Sequence, residues 1–537
     1  MNLTSAPITA VGKALQPPGP APMRMSAASV RPYIGILGVL LGSIMSVLGT
    51  RVTGLGIADL RGALHFGFDE GAWMTTSFGI GQMMIGVCCP YLGGILGIRR
   101  VLLGGIVVFF AASALAPLSP NLSAFMAMQF LAGIGSGTFI PLTVGFIARN
   151  LPSRLIVYGL AVYAMNSELS QNVAASLEGW YSDNLTWQWI NWQYCLALPL
   201  MFICVLIGIP REEVKTDLVA RLDWPGLAYA GIGFSLLYAG LDQGNRLDWT
   251  NNGLVNGLLV SGAVLTSVFV VRELFVAQAP FINLRLLLQH HLVLLLLLLA
   301  GYRFIILSTS YIIPSYLQAV QDFRELQVGA VLLWIALPQF AIVLPLGFLL
   351  ARADARWVLA AGATLVGIAC LMAAQLTSVW ATDDFLPSQL LQALGQSFAL
   401  TALVVLIVQS INPADVLTIG ALLQISRLFG GEIGTAFMQT FVRQRTQIHS
   451  NLIGQHIDGL SVLTADRLTL LRAAVSAHTS DVAIASAQAT RLLASAVARQ
   501  AAVLAYIDGF VAAAVGAAIC LVATALLPRF RFPSSPP

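Results

Sequence analysis

Five ionisable side chains stand inside long apolar runs of this 537-residue chain: Arg51, Glu168, Arg303, Arg427 and Glu432. A charge at the centre of a bilayer costs roughly 2.5–3.5 kcal/mol on insertion scales, so a charge kept there is a candidate for handling an ion or a substrate. Glu168 is followed by Asn172, Ser176 and Gly179, steps that put a polar stripe on one helix face. Such a stripe suits a cavity better than lipid. Glu168 is a candidate proton or cation site, and a structural ion pair with Arg51 is the plainer reading.

Glu432 lies in the string FGGEIG, where Gly430, Gly431 and Gly434 let a neighbouring helix approach closely. A carboxylate buried there could bind a proton, or pair with Arg303 or Arg427. Arg303, beside Tyr302 and near Ser308, Thr309, Ser310 and Tyr311, could attract an anionic substrate or serve a structural partner. Arg427 could snorkel to an interface. Gln392, Gln396 and Ser397 form a polar face that Gln339 could join, with hydrogen bonds between helices as the plainer account. No nucleophile triad, phosphate-binding loop or metal-ligand spacing is visible, so neither enzyme chemistry nor a cofactor or metal is expected.

The elements that must hold these groups are membrane helices. Hydrophobic residues make up 57% of the chain and charged residues 10%, against about 25% charged in soluble proteins. The apolar residues fall in runs near the length that crosses a hydrocarbon core. In lipid every backbone polar group must be satisfied internally, which makes such runs helices. Spans are expected at 33–56, 73–95, 101–119, 123–147, 155–179, 191–210, 225–242, 254–275, 291–314, 327–350, 357–377, 385–409, 417–438 and 503–527. With the N-terminus in the cytoplasm, 16 lysines and arginines fall in inner segments and 3 in short outer loops. That bias supports both termini inside. Residues 1–32, proline-rich and without an apolar run, are expected to form a disordered tail. The basic residues form no stripe, so nucleic acid is not an expected partner. The six cysteines all sit in apolar runs and are expected to pack as small hydrophobes. Residues 439–502, rich in Ala, Leu, Arg and Gln and free of proline, are expected to form one or two amphipathic helices outside the membrane.

Several strings, in order, resemble the fourteen-helix drug:proton antiporters of the major facilitator superfamily, the EmrB type. "LGTRVTGLGIADLRGAL" and "WMTTSFGIGQM" resemble the exit of its first helix and its second. "SDNLTWQWINW" resembles the loop after its fifth. "LDWPGLAYAGIGFSLLYAGLDQGNRLDW" resembles its seventh helix and following loop. "PFINLRLLLQHH" and "AVLAYIDGFVAA" resemble the entries to its ninth and last helices. The resemblance implies an all-α polytopic fold of two six-helix bundles plus two inserted helices. By that scheme residues 33–210 form the N-terminal bundle, 211–275 a charged linker and the inserted pair, and 276–537 the C-terminal bundle with the long periplasmic segment 439–502. Substrate would sit between the bundles near the midplane, reached alternately from each side by rocking. The resemblance also implies a periplasmic adaptor and an outer-membrane channel as partners.

Departures from that family are as informative. Gly49 stands where its first motif has Asp, and Gln129 where its fourth helix has Arg. Ala174 to Gly179 replace its Gly-Pro-x-x-Gly-Gly. The gating loop after the second helix keeps Gly97, Arg99 and Arg100 but has Gly94 in place of Asp. The lost residues are associated with proton coupling and gating. The expectation is therefore a secondary active transporter of the bacterial inner membrane, exporting small amphipathic or aromatic molecules. Its coupling to protons would run through non-standard carboxylates. The coupling and cavity candidates are Arg51, Glu168, Asn172, Arg303, Gln392, Gln396 and Glu432. A transporter of one specific metabolite, or a membrane scaffold or sensor that moves nothing, are the alternatives.

Overall fold

A computed structural model describes residues 31–215, 223–277, 282, 284–410, 416–457, 461–477 and 481–528. The tail through residue 30, part of the charged linker and the final arginines lie outside the described residues. Among those residues the chain is helical, with no β-strand.

The first bundle comprises α1 (Arg31–Leu55), α2 (Ile57–Leu64), α3 (Phe68–Leu96), α4 (Ile98–Leu115), α5 (Leu122–Gly137), α6 (Phe139–Asn150), α7 (Ser153–Asn184) and α8 (Trp189–Gly208). The inserted pair is α9 (Trp224–Gly244) and α10 (Gly253–Val271). The second bundle holds α11 (His290–Ile305), α12 (Ile313–Gln321), α13 (Glu325–Arg352), α14 (Ala355–Ala373), α15 (Leu386–Gln409), α16 (Val416–Gln455), α17 (Val462–Ser476) and α18 (Val482–Ala525).

All fourteen expected spans coincide with helices. Among the described residues eleven helical stretches are long and apolar enough to cross a membrane. The other three, α7, α9 and α16, are 32, 21 and 40 residues long. Two of these, α7 and α16, carry Glu168 and Glu432, so the helices with the weakest apolar signal are those bearing buried chemistry. Residues 439–502 divide between extensions of α16 and α18 and the separate helix α17.

Within the first bundle small residues set the closest contacts. A Cβ on Gly81 would run into the Phe130 carbonyl, and one on Gly133 into the Phe78 carbonyl, so α3 and α5 touch backbone to backbone. The bundles meet along α7 and α13. Ser176 backs onto Gly329 at one end of this seam, and Tyr158 onto Gly347 at the other. The inserted pair lies outside both bundles. α9 packs along α3, where Ser235 donates to the Ile80 carbonyl (3.0 Å). α10 covers α9 and turns Val260, Val264 and Val268 outward, a face suited to lipid.

Where the two inserted helices meet at their linker ends, Arg272 clasps Asp223 through contacts of 2.7–2.9 Å. Burial alone would raise the Asp223 carboxyl. The Arg272 and Gly226 hydrogen bonds and the Arg272 charge outweigh it and hold the group below the usual aspartate range.

Candidate functional site

The span beginning at His290 is not one regular helix. Between α11 and α12 the residues Ser308–Ile312 form a π-turn, and Pro314 follows. In an α-helix the Ser310 carbonyl would accept from the amide at position 314, but proline has no N–H. Arg51 of α1 supplies the donor instead, its Nη2 lying 2.7 Å from the Ser310 oxygen. This is a direct bond from the first bundle to the second, at the kind of local widening that recurs at functional sites.

Around it lies a polar network across the bundle interface. Arg303 Nη1 donates to Gln171 Oε1 (3.3 Å). Asn172 Nδ2 donates to Gln396 Oε1 (3.4 Å). Gln396 Nε2 donates to Thr309 Oγ1 (3.0 Å) and Gln392 Oε1 (3.2 Å), and Gln392 Nε2 to Ser308 Oγ (3.2 Å). The Tyr302 hydroxyl donates to the Gln396 carbonyl (3.3 Å) and also lies against the Glu168 carboxyl. Six of the seven cavity candidates thus come together: Arg51, Glu168, Asn172, Arg303, Gln392 and Gln396.

Glu168 does not form the ion pair with Arg51 offered as its plainer role. Among the described residues no carboxylate lies within ion-pair distance of Arg51, Arg303 or Arg427. Arg427 does not snorkel out. It is buried, and its Nε donates to Gln424 (3.3 Å). Arg303 is near enough for its charge to act on Arg51, Arg427 and Glu168 alike. Arg51 Nε, Arg303 Nε, Arg427 Nη2 and Glu168 Oε1 are buried without a hydrogen-bond partner. Arg303 therefore stands between Glu168 and two further buried arginines, and this set carries a surplus of positive charge with donor atoms unused.

The α7 stripe serves two purposes. Glu168 and Asn172 enter the central network, whereas Ser176 and Gly179 make the close backbone approach to Gly329 and Leu326 of α13. Gln339 on α13 is fully buried with both amide atoms unpartnered, and Ser397 turns back to its own helix.

Glu432 goes elsewhere. Gly430, Gly431 and Gly434 face Ala300, Arg303 and Phe304 of α11, as small residues at a close helix contact should. Glu432 projects from another side of α16 and meets Tyr238 of the inserted α9, with Asp242 nearby. Neither Arg303 nor Arg427 pairs with it. Asp242 escapes the sequence reading because the expected span ends at residue 242, whereas the helix runs to Gly244; Tyr238 lies within the span but carries no charge to single it out. Aspartate near a span end reads as an interfacial group.

The gating-loop residues lock one end of the first bundle. Gly97 has φ +89°, a left-handed conformation suited to glycine. Arg99 Nη1 donates to the Ile209 carbonyl (3.1 Å), and Arg100 Nη1 to the carbonyls of Leu96 (2.9 Å) and Glu212 (2.8 Å). Two family departures have a physical cause in their surroundings. A Cβ on Gly49 would stand 2.7 Å from the Phe78 ring, which fills the space an aspartate would need. Gln129 makes a neutral buried pair with Asn191 (3.1 Å) where the family has a charge.

The sequence profile of the Major Facilitator Superfamily matches residues 39–343. The fatty acid resistance protein FarB of Neisseria gonorrhoeae is 22% identical over 86% of this chain and 90% of its own. The multidrug export protein EmrB of Haemophilus influenzae is 24% identical over 79% of this chain and 82% of its own. Among solved structures, the xylose transporter XylE from E. coli superposes with a TM-score of 0.51 at 13% identity, over 91% of this chain and 97% of that one. That last likeness concerns the fold.

Proposed function

The chain belongs to the Major Facilitator Superfamily, as a divergent member of the EmrB type, and from that premise we propose that it exports small amphipathic anions across the bacterial inner membrane. The observation that carries this reading is the surplus of buried positive charge at the bundle interface. Arg51, Arg303 and Arg427 each keep a nitrogen atom without a partner, and of the three Arg303 acts on the carboxylate Glu168. Leaving such groups unpaired in a medium of low polarity is costly, and a bound carboxylate or sulfonate would relieve that cost. Tyr163 and Tyr302 beside the arginines offer apolar ring faces for the rest of an amphipathic molecule. The relatives named for fatty acid resistance and multidrug export fit this class.

Exchange against protons runs through carboxylates outside the family's motifs, while at the centre an incoming anion competes with Glu168 for Arg303. Fourteen spans with both termini in the cytoplasm agree with the arginine bias of the loops. The projecting parts of α16 and α18, with α17, expose Ile448, Leu452, Leu463 and Leu470, a surface suited to a periplasmic adaptor that continues to an outer-membrane channel.

One feature favours a narrower substrate range. The Asn172–Gln396–Gln392–Ser308 chain is directional, and directional polar sites select one shape. A panel of matched anions and cations, tested for uptake into energised inverted vesicles, separates the cases. Movement of many aromatic anions supports the exporter. Movement of one compound supports the single-metabolite reading. No movement of any compound by inserted, folded protein contradicts both and favours a scaffold.

A further inference from the structure

A second polar cluster lies away from the central network, in the seam where the inserted α9 meets α3 and α16. Tyr238 fits over Gly79 of α3, where any side chain would collide with its ring. Its hydroxyl reaches the Glu432 carboxyl of α16. Glu432 is 8% exposed, and its Oε1 has no hydrogen-bond partner. One turn beyond Tyr238 on α9 stands Asp242, close enough for its charge to act on Glu432.

From Asp242 a chain of polar contacts leads outward. Its Oδ2 accepts from Thr76 Oγ1 of α3 and from Gln243 Nε2 (3.2 Å). Gln243 Nε2 also donates to Thr76 Oγ1 (2.5 Å), and its Oε1 accepts from Arg246 Nε (2.8 Å). Arg246 pairs with Asp69, which is 82% exposed. The buried carboxylate of Asp242 is therefore linked by side chains to an open surface on the side of the α16–α18 projection, and Glu432 lies within reach of its charge.

The charged and titratable groups around Glu432 are few. α9 contributes Tyr238 and Asp242. On α11, Arg303 lies beside Gly431 rather than Glu432, and on α16 Arg427 acts on Tyr238. Arg246 sits on the outer side of Asp242. Among the described residues no cation is within ion-pair distance of Glu432. Two buried carboxylates near enough for their charges to interact repel in a medium of low polarity, and one proton removes the repulsion.

We infer that Asp242 and Glu432 form a proton-binding pair, filled from the Asp69–Arg246 surface, with one half carried by the inserted helix. α9 rides on α3 of the first bundle and α16 belongs to the second, so the pair spans the two bodies that rock. With its proton bound, the pair holds α9 against α16. When the proton leaves to water on the linker side, the two carboxylates push the bundles apart at this seam. This gives the inserted helices a task in coupling, distinct from substrate binding at the centre. It rests on the exporter reading for what the proton drives, but the binding of the proton is tested without transport.

The test is infrared difference spectroscopy of the purified full chain through a pH step, with and without Asp242→Asn and Glu432→Gln. The wild type should show a protonated-carboxyl band that each variant lowers or removes, while Asp69→Asn keeps the band and slows its appearance. Glu168→Gln should leave this band in place. In parallel, anilinonaphthalene sulfonate is followed in proteoliposomes. Asp242→Asn and Glu432→Gln should keep exchange at equal pH within about twofold and lose accumulation driven by a pH gradient. Tyr238→Phe, which alters no carboxylate, guards against misfolding and should retain the band. A band unchanged in both carboxylate variants overturns the proton pair. A band that behaves as stated in a wild type moving no anion leaves the pair standing and overturns the exporter.

Discussion

The central network and the α9–α16 seam are both buried and polar, yet opposite in charge and in the way they are satisfied. At the centre, three arginines and one glutamate are held by amide, hydroxyl and carbonyl groups drawn from both bundles. At the seam, two carboxylates are held by a tyrosine, a threonine and a glutamine, with Arg246 on the outer side of Asp242. A positive site bridged between the two bundles suits an anion. A negative site suits a proton. On the proposed exporter reading, this separation lets substrate and proton act on one rocking motion without sharing a binding group.

The largest effect that would break this division comes from the centre. Arg303→Gln should raise the half-saturating concentration of an aromatic sulfonate at least tenfold, about 1.4 kcal/mol of binding. Its dependence on a pH gradient should survive; loss of that dependence would merge the two sites into one. Restoring the family residue is the next test. Gly49→Asp drives a side chain and a charge into the space of the Phe78 ring and should destabilise the protein by about 1–3 kcal/mol, read as a lower unfolding midpoint in detergent. Adding Phe78→Ala should return part of the loss by opening that space. If Gly49→Asp alone folds as well as wild type, the account of the missing motif fails.

Smaller effects sharpen the comparison. Gln396→Ala removes a hub bonded to Asn172, Thr309 and Gln392, and should weaken substrate binding several-fold, more for one compound than another. A uniform loss across the panel would argue that the network is structural. The smallest concerns the anchor of the seam helix. Asp223 is held below its ordinary range, so its bond to Arg272 adds stability that is present above about pH 3.9, the unfolded value, and is lost as pH falls through the folded one. Asp223→Asn should lower the melting temperature slightly near neutral pH. The difference from wild type should shrink on acidification and not grow.

Much of the architecture was legible because lipid allows few solutions. Apolar length located fourteen helices, and four-residue spacing put Glu168 and Asn172 on the face that meets Gln396. Partners were harder to read. The acceptor for Arg51 is a backbone carbonyl left open by Pro314 and the π-turn, and no side-chain pattern announces it. The glycines around Glu432 identified a close helix contact, which is with α11, while the glutamate points away from it. Asp242 was hidden by its place near the end of a span, where a carboxylate raises no question until the neighbouring helices are seen to enclose it.

The most direct test of the central claim compares two naphthalene dyes of matched size, one a sulfonate and one a quaternary ammonium, in proteoliposomes of wild type and Arg303→Gln. The account predicts that the wild type moves the sulfonate in preference to the cation, and that the substitution removes most of this preference. Equal movement of both dyes by the wild type, or a preference for the cation, would contradict an anion site at the bundle interface.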